Sequence, residues 1–354
     1  VLDEYVLTEN ILDITYLNVS TKGISDLTGI EDFESLEILY CFENNLSSLD
    51  ISSNSNLITL YCYNNQISNI DISQNQNLES FDIGNNNLNS IDVSNNTSLT
   101  LLHCYNNQLS SIDVSQNTLL INLYCWGNQI SNLDISQNLE LTRLQCYDNL
   151  LSILDISLNT ELEDLYCSSN QLSSLNLNNN IDLVRLRCGI NQLSSLDVSN
   201  NLDLEIIYCS DNAITELDVS TNSFLSEFYC SVNELTKLDV SNNTNLAILN
   251  CSNNDLDSLN LKNGNNTQMV LTTSSNPDLF CITVDDTDWS NANWTVDNQS
   301  INIWNSFSED CELGFVTFGC TDSNSCNFQP TANTDDESCI YLVSSYDTVV
   351  SCDS

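Results

Sequence analysis

Ten cysteines in this chain keep one fixed interval. A constant 21-residue step from Cys41 reaches Cys62, Ile83, Cys104, Cys125, Cys146, Cys167, Cys188, Cys209, Cys230 and Cys251. A thiol can attack, ligate or cross-link, and each of these needs a partner within reach. Zinc and iron–sulfur sites gather cysteines at C-x-x-C spacing, which a 21-residue step does not supply. Ile83 fills the same place without sulfur, so the position requires an apolar side chain and not a thiol. In-register neighbours would bring Cα atoms within disulfide range but point their side chains the same way. Cys104 to Cys251 are therefore expected to stay reduced and buried. The single histidine, His103, has no Ser/His/Asp order, glycine-rich phosphate loop or H-E-x-x-H motif around it. Without a base, nucleophile and metal held in mutual reach, the chain is not expected to be an enzyme.

Other residue types fall on the same interval. In L-Y-C-Y (60–63) alternation points Leu60 and Cys62 inward and Tyr61 and Tyr63 outward. The outward set at equivalent positions includes His103, Tyr105, Tyr124, Trp126 and Tyr147, and later coils carry serine or glycine beside the cysteine. Arg143, Arg185 and Arg187 lie on the same face, three of only six basic residues. They offer directed donors for carboxylate or sulfate, and pairing with Asp148, Glu163, Asp164 or Glu205 would account for them equally well. A second outward column is acidic: Asp50, Asp71, Asp92, Asp113, Asp134, Asp155, Asp197, Asp218 and Asp239, interrupted by Asn176. Its mutual repulsion calls for serine and backbone donors nearby or for a divalent counterion.

The elements that position these residues are short strands. Each unit reads L-x-x-L-x-C-x-x-N-x-L followed by x-x-L-D-V/I-S-x-N-x-x-L, and eleven units hold register from Cys41 to Asn254. Two asparagine columns, Asn44 to Asn254 and Asn54 to Asn243, fall where the chain turns, where buried amides can satisfy the backbone of adjacent coils. This pattern resembles the leucine-rich repeat family. KGISDLTGIEDFESL (22–36) is similar to the repeats of internalin-like bacterial proteins. The resemblance implies a mainly β solenoid, with a parallel sheet on one face and short extended or 3₁₀ segments on the other. It also implies ligand binding on the sheet face, and a disulfide-rich C-terminal module follows the repeats.

Four regions follow: 1–35, an N-terminal cap and irregular first repeat; 36–265, the 21-residue units; 266–311, a C-terminal cap; 312–354, a Cys/Asp-rich module and the start of a further domain. In the third, Cys281 and Cys311 bracket Trp289, Trp294 and Trp304, and a disulfide-closed cap would cover the last apolar coil. In the fourth, GCTDSNSCNFQPTANTDDESCIY resembles a module of secreted Bacteroidota proteins, many carried by type IX secretion. Cys320, Cys326, Cys339 and Cys352 are its disulfide candidates, with connectivity open. Asp322, Asn327, Asp335 and Asp336 are a candidate calcium site, and no cofactor is required.

Net charge is −43, from 49 acidic against 6 basic residues, which disfavours nucleic acid and anionic membranes. No apolar run is long enough for a membrane-crossing helix, so membrane insertion is not expected. The opening Val1 reads as a mature or internal piece of a longer chain with further domains. The expectation is an extracellular or cell-surface recognition or adhesion module that binds a protein or glycan. The alternative is a structural spacer or stalk with no ligand on the solenoid.

Overall fold

The computed structural model describes residues 8–298, 300–311, 318–323, 325, 334, 335, 338 and 339. Each coil contributes one three-residue strand whose middle residue is buried and whose flanks look outward, as in Thr59–Tyr61 around Leu60. Strands from Tyr16–Asn18 to Val270–Thr272 pair in parallel, each with its sequence neighbour in the ladder, to give a sheet of thirteen strands among the described residues. The register is the repeat itself: Arg143 faces Asp164 and Asp164 faces Arg185. The sheet passes residue 265, since Val270–Thr272 pairs with Ile248–Asn250.

The apolar ladder fills the inside. All ten repeat cysteines are free thiols and buried, with Ile83 beside them at 0% exposure. One coil alone buries little, so stability comes from stacking on neighbours. The asparagines bind those neighbours together. Asn149 donates to the Cys125 carbonyl at 3.0 Å and its own coil's Cys146 carbonyl at 3.1 Å, and accepts from the Ile130 amide at 2.9 Å. At the opposite turn Asn138 donates to Val114 at 3.0 Å and Asn117 at 2.8 Å. Tight turns such as Ile51 to Asn54 and a 3₁₀ turn at Ile30–Asp32 close the coils on that side.

Near the end the far side also becomes a sheet: Lys237–Asp239, Ser258–Asn260, Cys281–Thr283 and Ser306–Ser308 pair in parallel. The helix Thr287–Asn293, capped by the Asp286 carboxylate on the Trp289 amide at 2.9 Å, brings Trp289 edge-on to buried Trp294. Cys281–Cys311 closes this cap, and Cys320–Cys339 joins the segment that follows. Phe318–Gly319 pairs with Thr334–Asp335. Cys326, Cys352, Asn327 and Asp336 lie outside the described residues. Among the described residues no helix is long and apolar enough to cross a membrane.

Candidate functional site

Every strand presents outward positions at the same places in the repeat, so the sheet face carries three columns. The first contains Arg143, Asp164 and Arg185. The second contains Tyr61, His103, Tyr124, Tyr166, Arg187, Tyr208 and Tyr229. The third contains Tyr63, Tyr105, Trp126 and Tyr147, then Ser168, Gly189, Ser210 and Ser231. Because neighbours stand one strand apart, flat side chains in one column meet face to face. Tyr40 stacks on Tyr61 at 5.0 Å, Phe42 on Tyr63 at 4.5 Å, and His103 on Tyr124 at 4.1 Å. Trp126 lies between Tyr105 at 4.7 Å and Tyr147 at 4.9 Å. Such a stack spends ring faces on its neighbours and leaves ring edges, with their hydroxyl and N–H groups, toward solvent.

Asp82, Gln145 and Arg187 interrupt the second column, and Asp82 and Arg187 have partners on the face. Asp82 is almost fully buried; one carboxylate oxygen accepts the Gly84 amide at 3.0 Å and the other meets His103 Nδ1 at 3.2 Å. Arg187 lies between two rings, its guanidinium carbon 4.9 Å from the Tyr166 centroid and 4.6 Å from Tyr208. Tyr208 in turn stacks on Tyr229 at 4.1 Å. Burial, with the Asp82 charge next, pushes the Tyr105 phenol up to about 12. Tyr105 is therefore a neutral phenol at ordinary pH.

The arginines are brought together around one carboxylate. Asp164, 6% exposed, receives Arg143 Nε at 3.2 Å on one oxygen and Arg185 Nη1 at 2.8 Å on the other. Of the four acids that the sequence offers as partners, Asp164 is the one these pairs use. Tyr166, Tyr208 and Tyr229 were missed as members of the face. The 21-residue step would have found them, since they continue the column of Tyr61 and Tyr124.

The remaining candidates are occupied by structure. Burial pushes the Cys125, Cys188 and Cys251 thiols up to about 12, which removes them as nucleophiles at neutral pH. In the acidic column each aspartate accepts from the serine two residues on, as Asp134 does from the Ser136 amide at 3.0 Å, and this holds Asp134 below the usual carboxylate range. Among the described residues no three His, Cys, Asp or Glu side chains group as metal ligands. Of the calcium candidates, Asp322 has its carbonyl in a turn with Ser325, and Asp335 lies in the short strand pair.

No protein-family model matches the chain, and no curated protein does. Among solved structures, the functional domain of InlJ from Listeria monocytogenes, which includes a cysteine ladder, is 33% identical, with a TM-score of 0.71 over 78% of this chain and 69% of that one. The leucine-rich repeat protein LIC12759 of Leptospira interrogans shares the fold at 22% identity and a TM-score of 0.70, over 82% of this chain and 84% of its own. The internalin InlF of Listeria monocytogenes does so at 24% and 0.60, over 70% and 84%. With a repeat, a sheet and a thiol ladder in common with InlJ, this chain belongs to the internalin-like leucine-rich repeat proteins.

Proposed function

We propose that the chain is an extracellular, non-catalytic recognition module that binds a protein on its parallel-sheet face, centred on Tyr61, Tyr63, Tyr105, Tyr124 and Trp126. The observation that carries this reading is the face-to-face stacking of the rings. Sugars are gripped by open aromatic faces, whereas Trp126 has both faces covered, by Tyr105 and Tyr147. What remains is a row of rigid edges with hydroxyl groups, the surface that protein hot spots favour. The two disulfides support an oxidising, extracellular setting.

The same stacking favours one other reading, in which rings only tie adjacent coils together and the solenoid is a spacer. Tyr105→Ala with Trp126→Ala separates them. Wild type and double variant are screened against purified extracellular protein domains and a glycan array, with thermal melts alongside. Recognition predicts a protein hit that the variant loses while Tm moves by only a few degrees. A wild type that binds neither class, with a large Tm loss in the variant, would establish the spacer.

A further inference from the structure

The chain carries 49 acidic residues and 6 basic ones, yet three of the six sit on two strands of the sheet face. Asp164 supplies one negative charge to two guanidiniums, Arg143 and Arg185. Arg187 receives none: the ion pairs among the described residues do not include it, and its Nε is buried without an acceptor. Three guanidiniums, half of the chain's basic residues, therefore gather around Asp164, with Glu205 acting on Arg185 from farther off, in a chain that is otherwise strongly acidic. Arg143 and Arg185 each engage Asp164 through one nitrogen and remain 48% and 41% exposed at the side chain, with further donors unspent.

A second observation lies on the same coil. The position two residues after the cysteine is left-handed in coil after coil, and is filled by residues that tolerate it, such as Asn64, Asn85, Asn106, Gly127 and Asp148. Ile190 takes this conformation with φ 54° and Val232 with φ 55°, although β-branched residues are disfavoured there. Both are turned to solvent, Ile190 at 58% exposure. Neither strain nor exposure serves the fold. Between Ile190 and Arg187 lies buried Gly189, where a Cβ would stand 2.9 Å from the Ser210 carbonyl oxygen, so glycine lets the neighbouring coil close up at this point.

We infer that this strip, Arg143, Arg185, Arg187 and Ile190, docks an extended segment of a partner protein that carries carboxylates beside an aliphatic side chain. Charge complementarity selects the occupant: the guanidinium forks take planar carboxylates, and exposed Ile190 covers the aliphatic group. A cationic or purely apolar segment would leave the arginines unmatched. The inference deepens the protein-recognition reading and rests on it.

The test uses the whole chain with ¹⁵N-labelled arginine and a blocked peptide of alternating glutamate and valine. Saturable shifts of the Arg143, Arg185 and Arg187 Nε–H resonances are expected, beyond those from sodium chloride of equal ionic strength. A lysine-for-glutamate peptide should leave them in place. Arg185→Gln with Arg187→Gln should weaken the peptide at least about tenfold, as loss of charged interface anchors does. Ile190→Asn should raise Tm, by about 1–3 °C, because asparagine tolerates the left-handed turn, while weakening the peptide severalfold. An unshifted spectrum, equal response to the lysine peptide, or unchanged affinity in the folded arginine variant would overturn the proposal. Such a result alongside a protein hit that still depends on Trp126 would leave the recognition reading standing; loss of that hit's dependence with the peptide response intact would move recognition to the arginine strip.

Discussion

The ring of Tyr105 lies across Gly84, so that a Cβ on Gly84 would stand 2.5 Å from the ring carbons Cε1 and Cε2. Gly84 leaves a gap in the third column, and Tyr105 leans into it while stacking on Trp126. Gly84→Ala should push the ring out and disturb the stack. The expected signature is a red-shifted and weakened contribution of Trp126 to near-ultraviolet circular dichroism and fluorescence, with the far-ultraviolet spectrum kept. Unchanged Trp126 spectra would mean that the ring has room to shift.

The asparagine columns should be the costliest polar sites. Asn138 is fully buried and donates to two carbonyls of the preceding coil, Val114 and Asn117. Asn138→Ala removes two buried hydrogen bonds and leaves the Val114 and Asn117 carbonyls with only the Asn117 and Leu120 amides, at a cost of about 1–3 kcal/mol. Asn138→Asp should cost at least as much, because a carboxylate has no donor to offer. Urea unfolding measures both; an alanine variant within about 0.5 kcal/mol of wild type, the size of an ordinary surface change, would overturn the assignment.

The thiol ladder is read out chemically. Titration in denaturant without reductant should find the ten repeat thiols, and in the native protein almost none should react, since all are buried and desolvation raises thiols such as Cys146 and Cys167. A count near zero in denaturant would mean that they are paired. Cys146→Ala should cost about 1–2 kcal/mol as a small cavity, and Cys146→Ser more, because a hydroxyl there is buried among apolar neighbours.

Acid should act through the aspartate column. The serine hydroxyls and amides hold Asp50, Asp92, Asp113 and Asp155 below the usual 3.8. A folded pKa below the unfolded one gives stability that is present above the unfolded value and lost as pH falls through the folded value. Tm should therefore rise as pH drops from 7 toward about 4.5, where self-repulsion is relieved, and fall below about 3.8, where the column protonates. Asp134→Asn should soften the acid-side fall while keeping the turn, as Asn176 does toward the Asn178 amide at 3.1 Å. A Tm that climbs steadily to pH 2 would remove the column from the account.

Calcium is proposed at the terminal segment, where Cys320–Cys339 and the strand pair hold Asp322 and Asp335 on one short stretch of chain. The aspartates of the acidic column already spend an oxygen each on serine. Millimolar calcium should raise Tm beyond sodium chloride of matched ionic strength, and Asp322→Asn with Asp335→Asn should abolish the difference. Equal shifts from the two salts would reduce the effect to screening.

The solenoid was legible because its information is periodic. A strand, a turn and a buried apolar side chain, cysteine in every unit from Cys41 to Cys251 but that of Ile83, recur once in every repeat, and stacking is the one arrangement that buries them all. The partners on the face were legible in principle and were missed in part. Arg143, Asp164 and Arg185 differ by whole repeats, so register alone distinguishes Asp164 from Glu163, which alternation turns away. The far-side sheet was not legible. Lys237-Leu238-Asp239 is a strand and Glu216-Leu217-Asp218 is not, although they follow one pattern. Their difference lies in the neighbour: Lys237–Asp239 pairs with Ser258–Asn260, and that strand with Cys281–Thr283 of the cap, a property of the stack and not of the segment.

The asparagine bonds carry a rule of arithmetic. In the column that follows the strands each amide reaches 24 residues back on one side and 3 on the other, and the next coil repeats both, from Asn149 through Asn170 to Asn191. Excision or duplication of one whole unit therefore returns every bond to an equivalent acceptor, whereas a change of half a unit would set thiols against turns. Length is quantised: genetic recombination within the array can lengthen or shorten this surface only by whole repeats, and each added repeat brings one fresh row of outward side chains on which selection can act.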